Sequence, residues 1–374
     1  VKTDFDRRQV LKTIGLASGA FAAGCATGRR VSFEDAPRRF ARVRVSPERV
    51  IRTIAGLRPY RPSGFVVRAE KLDDKLLVHN YGHGGAGITL SWGTAELAVE
   101  QAVVSGAKRY AVVGCGAVGL ATARLLQRRG HEVVIYARDL PPNTTSNIAG
   151  GEWGPFSVVE SARRTAAFDE QFVRAARRSY RMFQDLVGDR YGVRWIEAYE
   201  LAQAAPPPPP ADPVLAALAQ LRPDSRALEP GQHPFAWPHV RRFLTMLIEP
   251  AIYLETVLAD FRLAGGRVVV RDFARPRDLA ALPEAVVVNC TGLGSRALFG
   301  DDELVPAKGQ LSILAPQPEV DYLVLTDNLL YMFPRRDGIL LGGTFERGEW
   351  DLTPDPAASE RILRGHMALF GAGA

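Results

Sequence analysis

The chain has 374 residues, enough for two domains with cores of their own. Its 47% apolar and 24% charged content is ordinary for a globular protein and excludes a disordered or fibrous one. The net charge of +6 comes from scattered arginines without an aromatic-interleaved basic stripe, which argues against nucleic-acid binding, and the 3 cysteines form neither a disulfide framework nor a C-x-x-C metal site.

Near the N-terminus Asp6-Arg7-Arg8-Gln9-Val10-Leu11-Lys12 stands ahead of an apolar segment reaching Ala26. The paired arginines before Val10-Leu11-Lys12 resemble a twin-arginine export signal, and the apolar part is too short to span a bilayer. Residues 1–27 are therefore set apart from the fold. Ala22-Ala23-Gly24-Cys25 resembles a relaxed lipoprotein box in which Cys25 would carry lipid. An ordinary cleavage site with an incidental cysteine is the alternative. Residues 28–43 read as a polar tether. The expected location is periplasmic, or anchored on the extracytoplasmic side with Cys25 as the sole membrane contact.

Gly56-Leu57-Arg58-Pro59-Tyr60-Arg61-Pro62 follows, then strand patterns at Gly64–Ala69 and Leu76–His79 around an Asp73-Asp74 turn. The loop Asn80-Tyr81-Gly82-His83-Gly84-Gly85-Ala86-Gly87-Ile88-Thr89 leads into a helical pattern from Leu90 to Val104. Glycines crowded between a strand and a helix let backbone amides approach a flat or anionic ligand, with the positive helix end behind. His79 and His83 read as packed or hydrogen-bonded side chains rather than ligands.

Tyr110–Val113 is a short apolar run that stops at Gly114, and Gly114, Gly116 and Gly119 have the G-x-G-x-x-G spacing. Ala117–Gln127 is helical, Gly130 stands at a C-cap, and Glu132–Tyr136 completes a β-α-β unit. In that setting the first glycine permits the turn, the second admits a pyrophosphate, and the third lets helix and strand pack closely. Ala117 and Val118 would offer first-turn amides to the anion. The motif leaves FAD, NAD and NADP open, as well as a glycine turn that binds nothing.

Beyond it runs Leu140-Pro141-Pro142-Asn143-Thr144-Thr145-Ser146-Asn147-Ile148-Ala149-Gly150-Gly151-Glu152-Trp153. An amphipathic helix at Phe168–Val187 and a stiff polyproline loop at Pro206–Pro210 follow. Tyr253–Leu263 is helical, and Arg267–Val270 and Ala285–Val288 are strands, the latter entering Asn289-Cys290-Thr291-Gly292. Cys115 and Cys290 read as buried thiols. Pro306-Ala307-Lys308-Gly309-Gln310 precedes strands at Leu311–Leu314, Tyr322–Leu325, Leu330–Phe333 and Ile339–Leu341, with a helix at Ala357–Leu369.

Together these stretches resemble the D-amino-acid oxidase family of FAD enzymes. The matches are G-C-G-A-V-G-L, T-T-S-N-I-A-G-G-E-W, V-N-C-T-G, P-A-K-G-Q, L-G-G-T-F, G-L-R-P-Y-R-P and N-Y-G-H-G-G-A-G-I-T. Agreement covers the chain from Arg44 onward, but the order differs: residues 44–105 resemble the family's last segment moved to the front. The resemblance implies an α/β fold, with a Rossmann-like FAD-binding domain (64–155 and 246–305) and a substrate domain on a large mixed β-sheet (44–63, 156–245 and 306–374). Termini of domains lie at the surface and often close together, so such a circular permutation is physically tolerable.

By the same resemblance, Arg58 clamps the α-carboxylate of a D-amino acid, Tyr331 meets it with its hydroxyl, and the Gly85 carbonyl accepts from the amine. Gly84, Gly85, Ile88 and Thr89 would line the flavin pyrimidine edge, Gly114, Gly116 and Gly119 the pyrophosphate. Thr144, Thr145, Ala149 and Gly150 would run along ribityl and isoalloxazine, with Thr291 and Gly292 a further contact. Arg61 is structural. The carboxylate expected about 20 residues past the glycines is replaced by Arg138, which leaves the ribose to Asp139 or supports an NADP reading. No side chain is an obvious base, and hydride transfer from Cα to flavin N5 requires none. The expected activity is oxidation of D-amino acids, with O2 or another acceptor taking the electrons, and a homodimer stays open. A glycine or N-methyl amino acid oxidase, a dehydrogenase with a membrane acceptor, and a non-catalytic flavin-binding envelope protein are the alternatives. The short loop Leu325–Leu330 and the want of a clear second arginine favour neutral side chains.

Overall fold

The computed structural model describes residues 40–205 and 212–371. The twin-arginine segment, Cys25 and Pro206–Pro210 lie outside them. In chain order, β1 (Val50–Tyr60), β2 (Val66–Leu72) and β3 (Lys75–Tyr81) lead to α1 (Gly87–Val103), and β4 (Arg109–Val113), α2 (Ala117–Arg128) and β5 (Glu132–Ala137) come next. Then follow α3 (Ala166–Asp185), β6 (Val193–Ala202), α4 (Pro213–Ala219), β7 (Arg226–Leu228), β8 (His239–Ile248) and α5 (Pro250–Leu263). The remainder holds β9 (Arg267–Val270), α6 (Pro276–Ala280), β10 (Val286–Asn289), α7 (Gly294–Phe299), β11 (Val305–Leu314), β12 (Tyr322–Thr326), β13 (Tyr331–Arg335), β14 (Gly338–Gly342), β15 (Glu346–Arg347) and α8 (Pro356–Gly371).

One sheet is 6-stranded, in the order β2-β3-β10-β4-β5-β9. All neighbours are parallel except β2, which pairs antiparallel with β3. Its inner strands are continuous apolar runs because both faces are covered. Val78, Tyr110, Val112, Ile135 and Val288 face a core shared with α1, α2 and α5. Leu77, Ala111, Val113, Val134 and Val287 face the other, with Leu279 and Leu298 of α6 and α7. α1 is buried around most of its circumference because α3 also lies against it. A β carbon on Gly93 would stand 1.9 Å from the Ala175 carbonyl oxygen, and Gly93 N donates to Ser179 Oγ across 2.7 Å.

The second sheet is 9-stranded, β1-β11-β14-β13-β12-β6-β8-β7 with β15 beside β11. Its one parallel pairing along this path is β12 with β6. The strands β1, β6 and β8 have no counterpart in the sequence-based expectations. Gly56 and Pro59 interrupt the alternation of β1, and an edge strand tolerates both. The ladder of β6 and β8 buries Ile196, Ala198 and Phe243 on one face and Tyr199, Leu201 and Val240 on the other, so neither strand alternates cleanly. Pro306-Ala307-Lys308-Gly309-Gln310 also lies inside β11 rather than ahead of it.

The tether expectation is corrected at its C-terminal end. Residues 40–43 are docked on the sheet face that also carries α8. Phe40 sets its ring edge-on to Tyr199, Phe235 and Tyr322, with centroids 5.1, 5.7 and 5.2 Å away. Gln317 holds the same segment, its Oε1 accepting from Arg44 N and its Nε2 donating to Arg42 O.

Candidate active site

The opposite face of the large sheet meets Ile148 from the loop after β5, and β1 meets the Gly84 turn after β3. Ile54, Gly56 and Arg58 alternate onto that face of β1, and register sets Gly56 against Gly309 and Arg58 against Ala307. The Arg58 side chain then leans over Gly309, where a β carbon would stand 2.2 Å from Nη1. Nη2 lies 3.5 Å from Tyr331 Oη, and the guanidinium carbon sits 5.7 Å from the Phe345 ring centroid. Nη1 is buried and has no partner. A buried guanidinium nitrogen without a partner is costly unless a ligand acceptor meets it.

Tyr331 is positioned from three sides. Its ring covers Gly342, leaving no room for a side chain there, because a β carbon would lie 2.0 Å from Cζ. It stacks on Phe333 at 5.0 Å and 28°. Its carbonyl oxygen is 3.1 Å from Nε2 of the buried His366 on α8. The β12–β13 hairpin that carries it is short, with Leu329 at φ 71° and Thr326 N donating to the Leu330 carbonyl oxygen across 2.9 Å.

Gly84 and Gly85 lie beside Arg58. Gly84 has φ 58°, and a β carbon on it would strike the Ser157 carbonyl oxygen at 2.1 Å. Gly85 N donates to that oxygen across 3.2 Å, so the loop at 154–157 closes over this turn. Arg61, three residues after Arg58, bonds Asp301 and Glu303 and is structural as expected. His79 pairs with Glu70, and His83 sits 2.9 Å from Thr94 Oγ1, with burial pushing its pKa down to about 3. Cys115 and Cys290 are buried, and desolvation raises both thiols to about 12.

The glycine turn after β4 is built as its spacing predicts. A β carbon on Gly114 would stand 2.4 Å from the Cys290 carbonyl oxygen, and one on Gly119 2.1 Å from the Gly114 carbonyl oxygen. Helix α2 opens behind Gly116 without a cap of its own, and Ala117 N donates to Ser146 Oγ across 3.0 Å. Val118 stands in the same first turn. Helix α1 likewise opens behind Ala86 without a side-chain cap, and a β carbon on Gly87 would meet nothing within 4 Å. Neither first turn contains an acidic residue. These are two anion-ready helix ends.

The remaining expected contacts divide by exposure and bonding. Thr89 Oγ1 donates to Gly154 O (3.2 Å), Thr144 Oγ1 to Asn147 Oδ1 (2.8 Å), and Thr291 Oγ1 to Asn289 Oδ1 (2.8 Å). The Thr89 hydroxyl thus holds loop backbone, and the other two bond asparagine side chains. Ile88 is buried, Thr145 is exposed, and Ala149 O accepts from Arg335 Nη1 at 2.9 Å. Gly150 gives room to the Phe333 ring, 2.6 Å from an added β carbon, and Gly292 is left-handed at φ 56°. Asp139 is an exposed carboxylate paired with Arg138 at 2.8 Å. Among the described residues no cluster of His, Cys, Asp and Glu would hold a metal ion.

Several residues at this site carried no role in the sequence reading. Glu152 and Phe156 approach from the loop after Gly151, Glu200 from β6 and Arg222 from the turn after α4. A glutamate or arginine in a loop has no periodic signature, and only tertiary packing shows where it points.

Residues 21–101 and 109–373 match the family model described as DAO, FAD dependent oxidoreductase. The chain belongs to that family. A Rubrobacter xylanophilus protein named D-amino-acid oxidase is 34% identical over 272 residues, spanning 70% of this chain and 77% of the relative. A Homo sapiens D-aspartate oxidase is 31% identical over 271 residues, spanning 70% and 75%. Among solved structures, glycine oxidase from Geobacillus kaustophilus is similar in fold, with a TM-score of 0.53 and 19% identity over 70% of this chain and 78% of that one.

A DAO-family oxidoreductase uses FAD, and this chain's residues fit that cofactor. The glycine cradle at Gly114–Gly119 and the α2 N-terminus suit the pyrophosphate; the uncapped α1 N-terminus suits the electron-rich edge of the flavin. The nicotinamide alternative prompted by Arg138 is thereby set aside.

Proposed function

We propose that this FAD-dependent enzyme oxidises D-amino acids to 2-oxo acids and ammonia, passing the electrons to O2 to give hydrogen peroxide. The observation that carries this reading is the buried, unpartnered Nη1 of Arg58 beside Tyr331 Oη. A carboxylate placed there would accept from both guanidinium nitrogens and from the phenol. Fixing that group orients Cα, and the Gly84–Gly85 turn bounds the side on which the amine must lie. FAD, when bound, supplies the acceptor for the hydride that leaves Cα. The protein's share is positioning and the exclusion of water by the 154–157 loop. No side chain is needed as base if the amine binds neutral.

The order of strands supports the proposal that residues 44–105 are a family C-terminal segment moved to the front. Counting β4 as first, the parallel strands lie in the order β9-β5-β4-β10-β3, the 3-2-1-4-5 arrangement of a dinucleotide fold. β3 thus occupies the fifth place although it comes before β4 in sequence. The proposed FAD domain takes the 6-stranded sheet and the proposed substrate domain the 9-stranded one, although α3 of the substrate range packs into the core of the smaller sheet and β8 runs into the FAD range. Export by the twin-arginine route rests on Arg7-Arg8 ahead of Val10-Leu11-Lys12 and the apolar segment, and Arg7→Lys with Arg8→Lys should abolish secretion of the full chain.

The test is anaerobic mixing with D-alanine or L-alanine. The expected result is loss of the flavin absorption band with the D-enantiomer only. A yellow protein that no D-amino acid bleaches would refute the oxidase reading and favour a binding role.

A further inference from the structure

The face that carries Arg58 and Tyr331 extends to a second group of polar atoms with unmet bonds. Register places Tyr331, Leu325, Glu200 and Arg241 in one row across β13, β12, β6 and β8. Arg222 reaches over that row. Its guanidinium lies between the rings of Phe243 and Phe156, 4.5 and 4.6 Å from their centroids, and 3.5 Å from the Glu200 carboxylate. Arg222 Nη2 is buried without a partner, and so is Glu152 Oε1.

Phe156 joins this group to the carboxylate clamp. Its carbonyl oxygen and Arg58 Cδ stand 3.3 and 3.8 Å from an added β carbon on Gly85. Its ring edge and Glu152 Oε2 converge on Gly154, at 2.1 and 2.6 Å from a β carbon there. The loop carrying Gly154 and Phe156 thus runs from the Arg58 clamp to Glu152 and Arg222.

Charge decides which substrate side chain would suit these groups. A carboxylate would join Glu200 and Glu152 as a further anion. An ammonium would face Arg222 and Arg241. A primary amide brings one acceptor, two donors and no charge. We propose that this second site recognises a side-chain carboxamide, its oxygen accepting from Arg222 Nη2 and its nitrogen donating to Glu152 Oε1. The substrates so favoured are D-asparagine and D-glutamine. The inference rests on the oxidase reading and deepens it. It keeps the neutral side chain expected from sequence and adds a polar requirement.

The experiment compares D-asparagine with its isosteres D-leucine and D-aspartate, and D-glutamine with D-glutamate and D-lysine, using the FAD-loaded enzyme. Calorimetry with succinamate, succinate and 4-methylpentanoate, which lack the amine, runs beside it. The carboxamides should lead in kcat/KM by about tenfold over D-leucine, and succinamate should bind tighter than 4-methylpentanoate by a similar factor. In Arg222→Met, and separately in Glu152→Met, the D-asparagine to D-leucine ratio should fall toward one. A wild-type ratio at or below one, a lead for acidic or basic substrates, or a ratio unmoved in both variants would overturn the subsite. Turnover of D-alanine with no carboxamide preference refutes the subsite and spares the oxidase reading. If no D-amino acid is turned over, the oxidase reading fails, and the order of succinamate and 4-methylpentanoate still decides the subsite.

Discussion

Arg58 and Gly309 fit each other as side chain and absence of side chain. The guanidinium lies where a β carbon of residue 309 would be, 2.2 Å from Nη1. Gly309→Ala should therefore displace the clamp without touching the cofactor turn. KM for D-alanine should rise about tenfold or more while FAD content stays at the wild-type level, measured by steady-state kinetics and the flavin spectrum. An unchanged KM would mean that the guanidinium has room to move and that its pose is not enforced from β11.

Removing the guanidinium itself is the harsher change. Arg58→Leu should raise KM about a hundredfold or more, since truncating one side of a buried, hydrogen-bonded charge pair costs roughly 2–5 kcal/mol. The protein should remain yellow. Arg58→Lys should recover little, because an ammonium cannot make the forked contact that Nη1 and Nη2 offer together.

The cofactor turn has its own sensitive position. A β carbon at residue 119 would stand 2.1 Å from the Gly114 carbonyl oxygen, and backbone cannot yield as a flexible side chain does. Gly119→Ala should push α2 off β4, lowering stability by roughly 1–3 kcal/mol and releasing FAD. Flavin-to-protein ratio after gel filtration and a urea titration read the two effects. Gly130→Ala has open space around it and only a left-handed φ of 82° to strain, so it should cost less and leave FAD bound.

How much of this was legible follows the range of each constraint. Gly114, Gly116 and Gly119 recur within one turn, so spacing alone exposed them, although Cys290 and Ser146, which crowd the first two, come from later loops. Arg58 and Tyr331 meet only because β1, β11, β14 and β13 stand side by side, and sequence reached that pair through resemblance rather than pattern. Gly56 and Gly309 stood outside the strands expected from sequence. They are glycines because Ile148 and Arg58 occupy the space above them, at 2.6 and 2.2 Å from an added β carbon. Arg222 and Glu152 had no local mark at all, since each is defined by rings and carboxylates from other elements.

Glu152 gives a prediction that needs no substrate. Burial raises its carboxyl from the ordinary 4.5 to about 7, against the weaker pull of Arg222. A carboxyl whose pKa is higher in the folded state contributes stability that is full below about 4.5, where both states are protonated, and is lost as pH rises through about 7. Above neutrality the folded protein must hold a desolvated charge that the unfolded chain leaves in water. Glu152→Gln removes that charge and keeps the shape. Its stability, relative to wild type, should be unchanged below about pH 4 and should gain on the order of 3 kcal/mol by pH 8, read from urea midpoints of the FAD-saturated proteins. Parallel curves across that range would show that Glu152 is already ionised and solvated in the free enzyme, with its Oε1 bonded to water rather than waiting for a ligand.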